Sequence, residues 1–300
     1  MMVTQPIGGL ANQLCVYAAA KNIAKCNNQE LLLDLSHFHE KSKRNFRFNE
    51  LNIDYKVASP WLILFKFKRF AFNSNKVFRY ISDKVNKAGL YGRKCHDETS
   101  LNFDSSLFNL TGDCFLAGNF ISYKYYADSL PQLSLEFKPR NLSDNVYRLI
   151  NKINLNNFAS IHFRRGDYIA EKSARDFHGV LGEQYYIEAV EWLKKNRGVK
   201  TFYVFTDDVT LAKKSFEFIE DINFVDQDNL TDIEELELMK YFKNNIIANS
   251  GFSRWAGLLN YNENPTVIMP KQWFKAIDIA TEEIAPPTWI RIDSNFELFN

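Results

Sequence analysis

Two adjacent arginines end an apolar run in Ile161-His162-Phe163-Arg164-Arg165-Gly166-Asp167-Tyr168. Guanidinium groups keep their charge at any working pH and grip phosphate in a bidentate fork, so this doublet suits an anionic ligand. A solvated Arg–Asp network would leave the same trace, and on these residues alone both readings stand. Thr206-Asp207-Asp208 closes a second apolar run. One of its carboxylates could accept hydrogen bonds from a guanine edge or a ribose, or it could cap the helix that follows. In Ala248-Asn249-Ser250-Gly251-Phe252-Ser253-Arg254-Trp255, serine hydroxyls and backbone N–H groups at a helix start would cradle an anion, with an aromatic just beyond to stack on a base. The plainer reading is a Ser-capped helix. Gly8-Gly9-Leu10-Ala11-Asn12-Gln13 matches neither the dinucleotide fingerprint nor the P-loop. Its glycines allow close backbone approach to a ligand, and the amides of Asn12 and Gln13 suit sugar hydroxyls or a glycosidic oxygen. Asp226-Gln227-Asp228 has the bare Asp-x-Asp metal pattern, which a solvated loop also satisfies, and no cluster has zinc spacing.

The surrounding residues predict how these groups are held. A glycine-bearing loop through Gln13 leads into an Ala-rich helix over Leu14–Ala24 and a buried strand at Leu31–Asp34. Further on, strands are predicted at Phe158–Phe163, Thr201–Thr206, Phe224–Val225, Asn245–Ala248 and Thr266–Met269. Helices are predicted over Gly182–Lys195, Asp232–Phe242 (with Thr231 as N-cap) and Ser253–Leu259. Strands alternating with helices imply a parallel sheet covered on both faces, with ligands at the carboxyl ends of the strands. Each polar cluster of the second half falls just after a strand. The boundary between two domains is placed at Phe137–Ser143, giving domains 1–140 and 141–300.

Composition excludes several classes. The 300 residues are 46% hydrophobic and 24% charged, which argues against disorder, collagen and coiled coil. A net charge of +1 gives no overall attraction to nucleic acid. No run approaches the ~20 apolar residues of a membrane span. The N-terminus has no secretory pattern, and Cys15, Cys26, Cys95 and Cys114 form no C-x-x-C pair. They are read as reduced thiols of a cytoplasmic protein, in which the sequons at Asn109, Asn141 and Asn229 are incidental and Arg165-Gly166-Asp167 is no adhesion signal. One stretch departs from this balance. Lys56–Lys94 holds ten Lys/Arg and a single acid, Asp83, with eight interleaved aromatics. It reads either as a packed helical insert with solvated lysines or as a peripheral contact with an anionic membrane surface.

In this order the four clusters resemble those of the bacterial α-1,2-fucosyltransferases of glycosyltransferase family 11. The shared blocks are Gly8–Gln13, His162–Tyr168, Phe205–Asp208, Leu236-Glu237-Leu238-Met239 with Asn245–Trp255, and Val267–Phe274. The resemblance implies an α/β fold of GT-B type, two Rossmann-like domains facing a cleft, with the acceptor side in the first and the GDP-sugar side in the second. It implies inverting transfer of L-fucose from GDP-fucose to the 2-hydroxyl of a terminal β-galactoside, for O-antigen-like surface glycan synthesis, with no cofactor and no required metal. The acceptor would be a galactoside, free or lipid-linked, and nucleic acid would be no partner. Arg164 and Arg165 would hold the pyrophosphate and His162 the ribose or diphosphate. Asp207 or Asp208 would read guanine or ribose, Asn249, Ser250 and Ser253 the β-phosphate region, and Phe252 the base. Gly9, Asn12 and Gln13 would meet the sugar, Asn12 near the reacting hydroxyl. A carboxylate such as Asp167 or Glu171 would take the acceptor's proton.

The chain departs from the family pattern at Ala11 (usually glycine), Asn244 (histidine), Gly251 (serine) and Arg254 (tryptophan). These changes bear on donor geometry and keep two alternatives open: a transferase for another GDP-sugar such as GDP-mannose, and a non-catalytic GDP-sugar- or glycan-binding protein.

Overall fold

The computed structural model describes residues 1–38, 44–67, 95–154, 157–225 and 230–297, without the side chains of Asn154 and Asp167. Most of the basic stretch (68–94) and the Asp226-Gln227-Asp228 motif therefore lie outside the described residues. The chain divides into two units, Met1–Phe137 and Lys138–Asn300.

The first unit contains β1 (Met2–Thr4), α1 (Leu10–Cys26), β2 (Leu31–Leu33), α2 (Pro60–Phe67), β3 (Cys95–Asp97), β4 (Cys114–Ala117) and α3 (Leu130–Glu136). Its sheet has the order β2-β1-β4-β3, and every pair is parallel. The three-residue β1 gave too short a run to be read from sequence, yet it is fully buried at the centre of the sheet. α1 is buried over seven consecutive positions, Leu14–Ala20. A helix buried all round must be apolar all round, and here alanines let it sit close. It also begins earlier than predicted. Gly9 takes the extended N-cap conformation, so Asn12 and Gln13 belong to the helix's first turn, not to a loop.

The second unit runs α4 (Asp144–Asn154), β5 (Ala159–Phe163), α5 (Gly166–Ala170), α6 (Lys172–His178), α7 (Glu183–Arg197), β6 (Thr201–Thr206), α8 (Val209–Ser215) and β7 (Asp221–Phe224). It continues with α9 (Asp232–Met239), β8 (Asn244–Ile246), α10 (Gly251–Leu258), β9 (Thr266–Pro270), α11 (Thr281–Ile284) and β10 (Ile290–Ile292). Six parallel strands lie in the order β10-β9-β8-β5-β6-β7. The chain thus winds outward from β5 to β7, returns to the centre at β8, and winds outward the other way, which is the doubly wound nucleotide-binding order. Ile161, Phe163, Val204, Ile246 and Ile268 from the strands pack with Tyr185, Ala189 and Val190 of α7 in the core. α7 stops at Gly198, whose left-handed conformation (φ 64°) ends the helix. α9 starts with the capping box of Thr231 and Glu234, and Glu234 also accepts the backbone N–H of Ser143 at 2.9 Å.

Candidate active site

The reversal of winding opens a crevice between β5 and β8. Their pairing ends at Ile161–Ile246, whereas β5 stays paired with β6 through Phe163–Thr206. β8's continuation instead follows β9, with Ile247 N donating to Ile268 O at 2.9 Å. The two central strands therefore part at His162, the position where folds of this winding bind ligands.

His162 is buried, with its ring 5.6 Å from that of Phe252 on α10. Burial, reinforced by the nearby Arg164 cation, pushes its pKa down to about 3, so the imidazole is neutral. Its Nδ1 is buried without a hydrogen-bond partner among the described residues. A buried polar atom in that state costs about 1–3 kcal/mol, which a ligand or water would relieve.

The two arginines part company after β5. Arg165 follows Phe163 into the fold and is only 1% exposed. Its guanidinium lies 4.0 Å from the Phe163 ring centroid, donates from Nη1 to Leu181 O at 2.9 Å and from Nη2 to Glu297 Oε1 at 2.9 Å. The segment holding Glu297 is stitched to residues 180–182 by Gly182 N to Asn295 O and Glu297 N to Val180 O, both 2.8 Å. Arg165, expected to meet a pyrophosphate, thus has Nη1 and Nη2 on protein partners, while its buried Nε has none among the described residues. Through those two nitrogens it joins the carbonyl of one segment to the carboxylate of another. Arg164 points the other way, with a side chain 30% exposed and Nη1 2.7 Å from Asp207 Oδ2.

Asp207 organises this turn. Its Oδ1 accepts the backbone N–H groups of Arg165 (2.9 Å) and Gly166 (3.0 Å), while Oδ2 pairs with Arg164. A Cβ on residue 166 would lie 2.4 Å from Asp207 Oδ2, so the turn closes this tightly only around glycine. Asp208 caps α8 by accepting Leu211 N at 2.9 Å. Asp208 thus carries out the local capping weighed in the sequence, whereas Asp207 reaches across to the turn after β5.

After β8, Asn249 is a buried bracket. Its Nδ2 donates to the carbonyls of His178 (2.8 Å), Gly179 (3.2 Å) and Trp273 (3.3 Å), and its own carbonyl accepts Tyr168 OH at 3.2 Å. Ser253 is fully buried and its hydroxyl turns back to Ser250 O (3.4 Å) and Ala248 O (3.5 Å). Asn249 and Ser253, expected to serve the ligand, are buried donors with acceptors of the loop itself in reach. Ser250 sits at the N-cap of α10 without capping it. Of the departures from the family pattern, Asn244 lies at the amino end of β8, bonded to Asn157 Oδ1 and Phe158 O, on the edge away from the crevice. Arg254 is fully buried and donates to Ile284 O at 3.4 Å.

In the first unit, Gly8 takes φ 70°, and a Cβ there would meet Asn12 Nδ2 at 2.9 Å. Gln13, predicted to bind sugar, is buried instead. Its Nε2 donates to Gly8 O (3.0 Å) and Asn45 O (2.8 Å), and its Oε1 accepts Arg47 N (3.1 Å), so it fastens the glycine turn. Asn12 is exposed one turn into α1, and Gly9 has open space where a side chain would stand. The sequence reading missed two groups at this sheet's carboxyl edge. Buried Asp34, just after β2, accepts Gln5 Nε2 at 3.0 Å. Glu98, just after β3, accepts the N–H groups of Asn119 (2.7 Å) and Phe120 (3.1 Å), and burial raises its pKa against their pull. An acid immediately after an apolar strand, as in Leu31-Leu32-Leu33-Asp34, was the available signal for the first.

Among the described residues, no three His, Cys, Asp or Glu side chains converge as metal ligands. The four cysteines are free thiols. No described helix is long and apolar enough to cross a membrane.

A half-buried arginine and a neutral histidine thus stand at the switch point of a doubly wound sheet, and comparison with known proteins gives the class of the chain. The profile described as Glycosyl transferase family 11 matches residues 113–293. The chain is 29% identical to an Escherichia coli alpha-1,2-colitosyltransferase, over 98% of this chain and 99% of that protein. It is 30% identical to the E. coli O-antigen biosynthesis glycosyltransferase WbnK, over 95% and 98% respectively. In fold it is similar to POFUT1, with a TM-score of 0.50 to the GDP-fucose complex at 12% identity, covering 89% of this chain and 96% of that one. The apo form gives 0.51 at 13% identity, covering 89% and 97%. The chain is therefore a glycosyltransferase with an α/β fold of GT-B type. It belongs to glycosyl transferase family 11.

Proposed function

We propose that this protein transfers L-fucose from GDP-fucose to the 2-hydroxyl of a terminal β-galactoside, with inversion, in the synthesis of an O-antigen-like surface glycan. The observation that carries the donor assignment is half-buried Arg164 close to buried, neutral His162 where β5 and β8 part. The β-phosphate gains charge as the C1–O bond breaks. Arg164 and the N–H groups opening α10 are fixed donors for that charge, with Ser250 beside them. Asp207 holds Arg164 in place, and Arg165 locks the turn from beneath. Phe252 offers a face to the base next to His162.

The acceptor side is assigned to the first unit, where Asn12 is the exposed amide of the glycine turn. Proton transfer from the attacking hydroxyl is assigned to Asp167, with Glu171 the other carboxylate of that stretch. Arg164 and the N–H groups opening α10 are assigned the leaving group's charge without a metal, so the reaction is expected to run in EDTA.

A second donor has a specific observation in its favour, since one relative is named for colitosyl transfer. Colitose is fucose without one ring hydroxyl, so the same phosphate grip would serve both. Competition between GDP-fucose and other GDP-sugars, including GDP-mannose, decides the donor: GDP-fucose should give the highest kcat/KM. If the protein is protected from unfolding by GDP but turns over none of them, it is a binding protein and the transferase reading fails.

A further inference from the structure

β1 and β4 are the central neighbours of the first unit's sheet, and the register Thr4–Leu116 brings their carboxyl ends to the same level. Ligands of parallel α/β sheets bind beyond those ends. Beyond β1, the glycine turn leads to the exposed amide of Asn12, with open space over Gly9. Beyond β4, the chain bends through Gly118-Asn119-Phe120, and Asn119 is likewise exposed. Its side chain makes no hydrogen bond among the described residues, although its backbone N–H is held.

This bend is strained and firmly held. Phe120 takes φ 47°, a left-handed conformation that is unfavourable for a bulky residue. Its ring is fully buried and meets Tyr125 edge-on, with centroids 5.4 Å apart. Gly118 leaves no room for a side chain: a Cβ there would lie 2.5 Å from Glu98 Cβ and 2.8 Å from Glu98 Oε2. That one oxygen accepts both the Asn119 N–H (2.7 Å) and the Phe120 N–H (3.1 Å). Glu98 thus fixes the peptide groups before and after the Asn119 Cα. The strain serves no strand pairing, since β4 has already ended at Ala117. An amide on a fixed backbone offers donors and an acceptor together at little cost in entropy, which suits neighbouring sugar hydroxyls. Neither Asn12 nor Asn119 is charged, and the Glu98 carboxylate behind the second disfavours an anion, so the pair fits a neutral polyol. We infer that Asn119 contacts the acceptor sugar and helps to select it, with Glu98 as its positioning residue.

The inference rests on the assignment of the acceptor to the first unit. Its test is steady-state kinetics of the full chain with GDP-fucose and lactose, each varied at saturating levels of the other. Asn119→Ala should raise the lactose KM about five- to tenfold, while donor KM, GDP affinity and thermal midpoint stay at wild-type values. Glu98→Ala should raise the lactose KM as well and also lower the thermal midpoint. Glu98→Gln keeps an oxygen for the two N–H groups and should recover most of the lactose KM. A wild-type lactose KM in Asn119→Ala overturns the inference, as does a donor KM that rises in step with it. Lactose binding followed by NMR titration separates this inference from the donor assignment. If no GDP-sugar is turned over, weaker lactose binding by Asn119→Ala than by wild type supports the inference and counts against the donor assignment alone. Equal binding, or none by either protein, refutes the inference.

Discussion

The two arginines after β5 should fail in opposite ways when each is replaced by methionine. Arg165 is buried and bonded to Leu181 O and Glu297. Removing one partner of a buried pair costs about 3–5 kcal/mol, and the side chain of Glu297 is 32% exposed, which places the loss near the lower end, about 3 kcal/mol. The Arg164–Asp207 pair is partly exposed on both sides, 30% and 23%, and pairs of that kind contribute about 0–1 kcal/mol to folding. Its loss should appear in the ligand. A hydrogen bond to a charged group contributes about 1.5–3 kcal/mol, so GDP should bind roughly ten- to a hundredfold more weakly to Arg164→Met. Urea unfolding reads the first quantity and titration with GDP reads the second. Glu297→Gln, which keeps an acceptor for Arg165, should lose less stability than Arg165→Met and retain GDP affinity. The reasoning is refuted if Arg165→Met keeps its stability and loses GDP, or if Arg164→Met unfolds easily and binds GDP normally.

Other positions give separate expectations. His162 has a folded pKa of about 3 against an ordinary 6.5, so the unfolded chain takes up its proton first as pH falls. Its contribution to stability is complete above about pH 6.5 and lost progressively toward pH 3; His162→Asn should show a shallower fall of thermal midpoint across that window. Gly166→Ala would push a Cβ against Asp207. Its donor KM should rise at least tenfold, and an unchanged KM would mean that Asp207 does not set the position of Arg164. Ser250→Ala should raise donor KM with little change in stability, whereas Ser253→Ala should cost about 1 kcal/mol in urea unfolding and leave KM alone.

The sequence showed much of the second unit because its strands are long apolar runs ended by polar residues. Thr201–Thr206 was read to the residue, and the Thr231 cap of α9 was legible from its neighbours alone. β1, β3, β4 and β10 were not, being strands of three or four residues, whereas the equally short β2 was legible because Leu31-Leu32-Leu33 is an apolar run ended by an acid. Side-chain contacts were not legible where the partner is remote. Adjacency gave Arg164 and Arg165 one expected role, but Glu297, to which Arg165 donates, is 132 residues away. Gln13 is claimed by Asn45 and Arg47, again through contacts that no local pattern shows. Asp208 is the opposite case: an acid just ahead of a helix, whose capping role is local.

The most direct test of the proposed activity is incubation of the full chain with GDP-fucose and a β-galactoside in EDTA, following the product's mass and linkage. A fucosylated product joined at the 2-hydroxyl, absent with Arg164→Met at the same donor concentration, is the predicted result. Protection by GDP against unfolding without any such product, across a panel of β-galactosides, would contradict it.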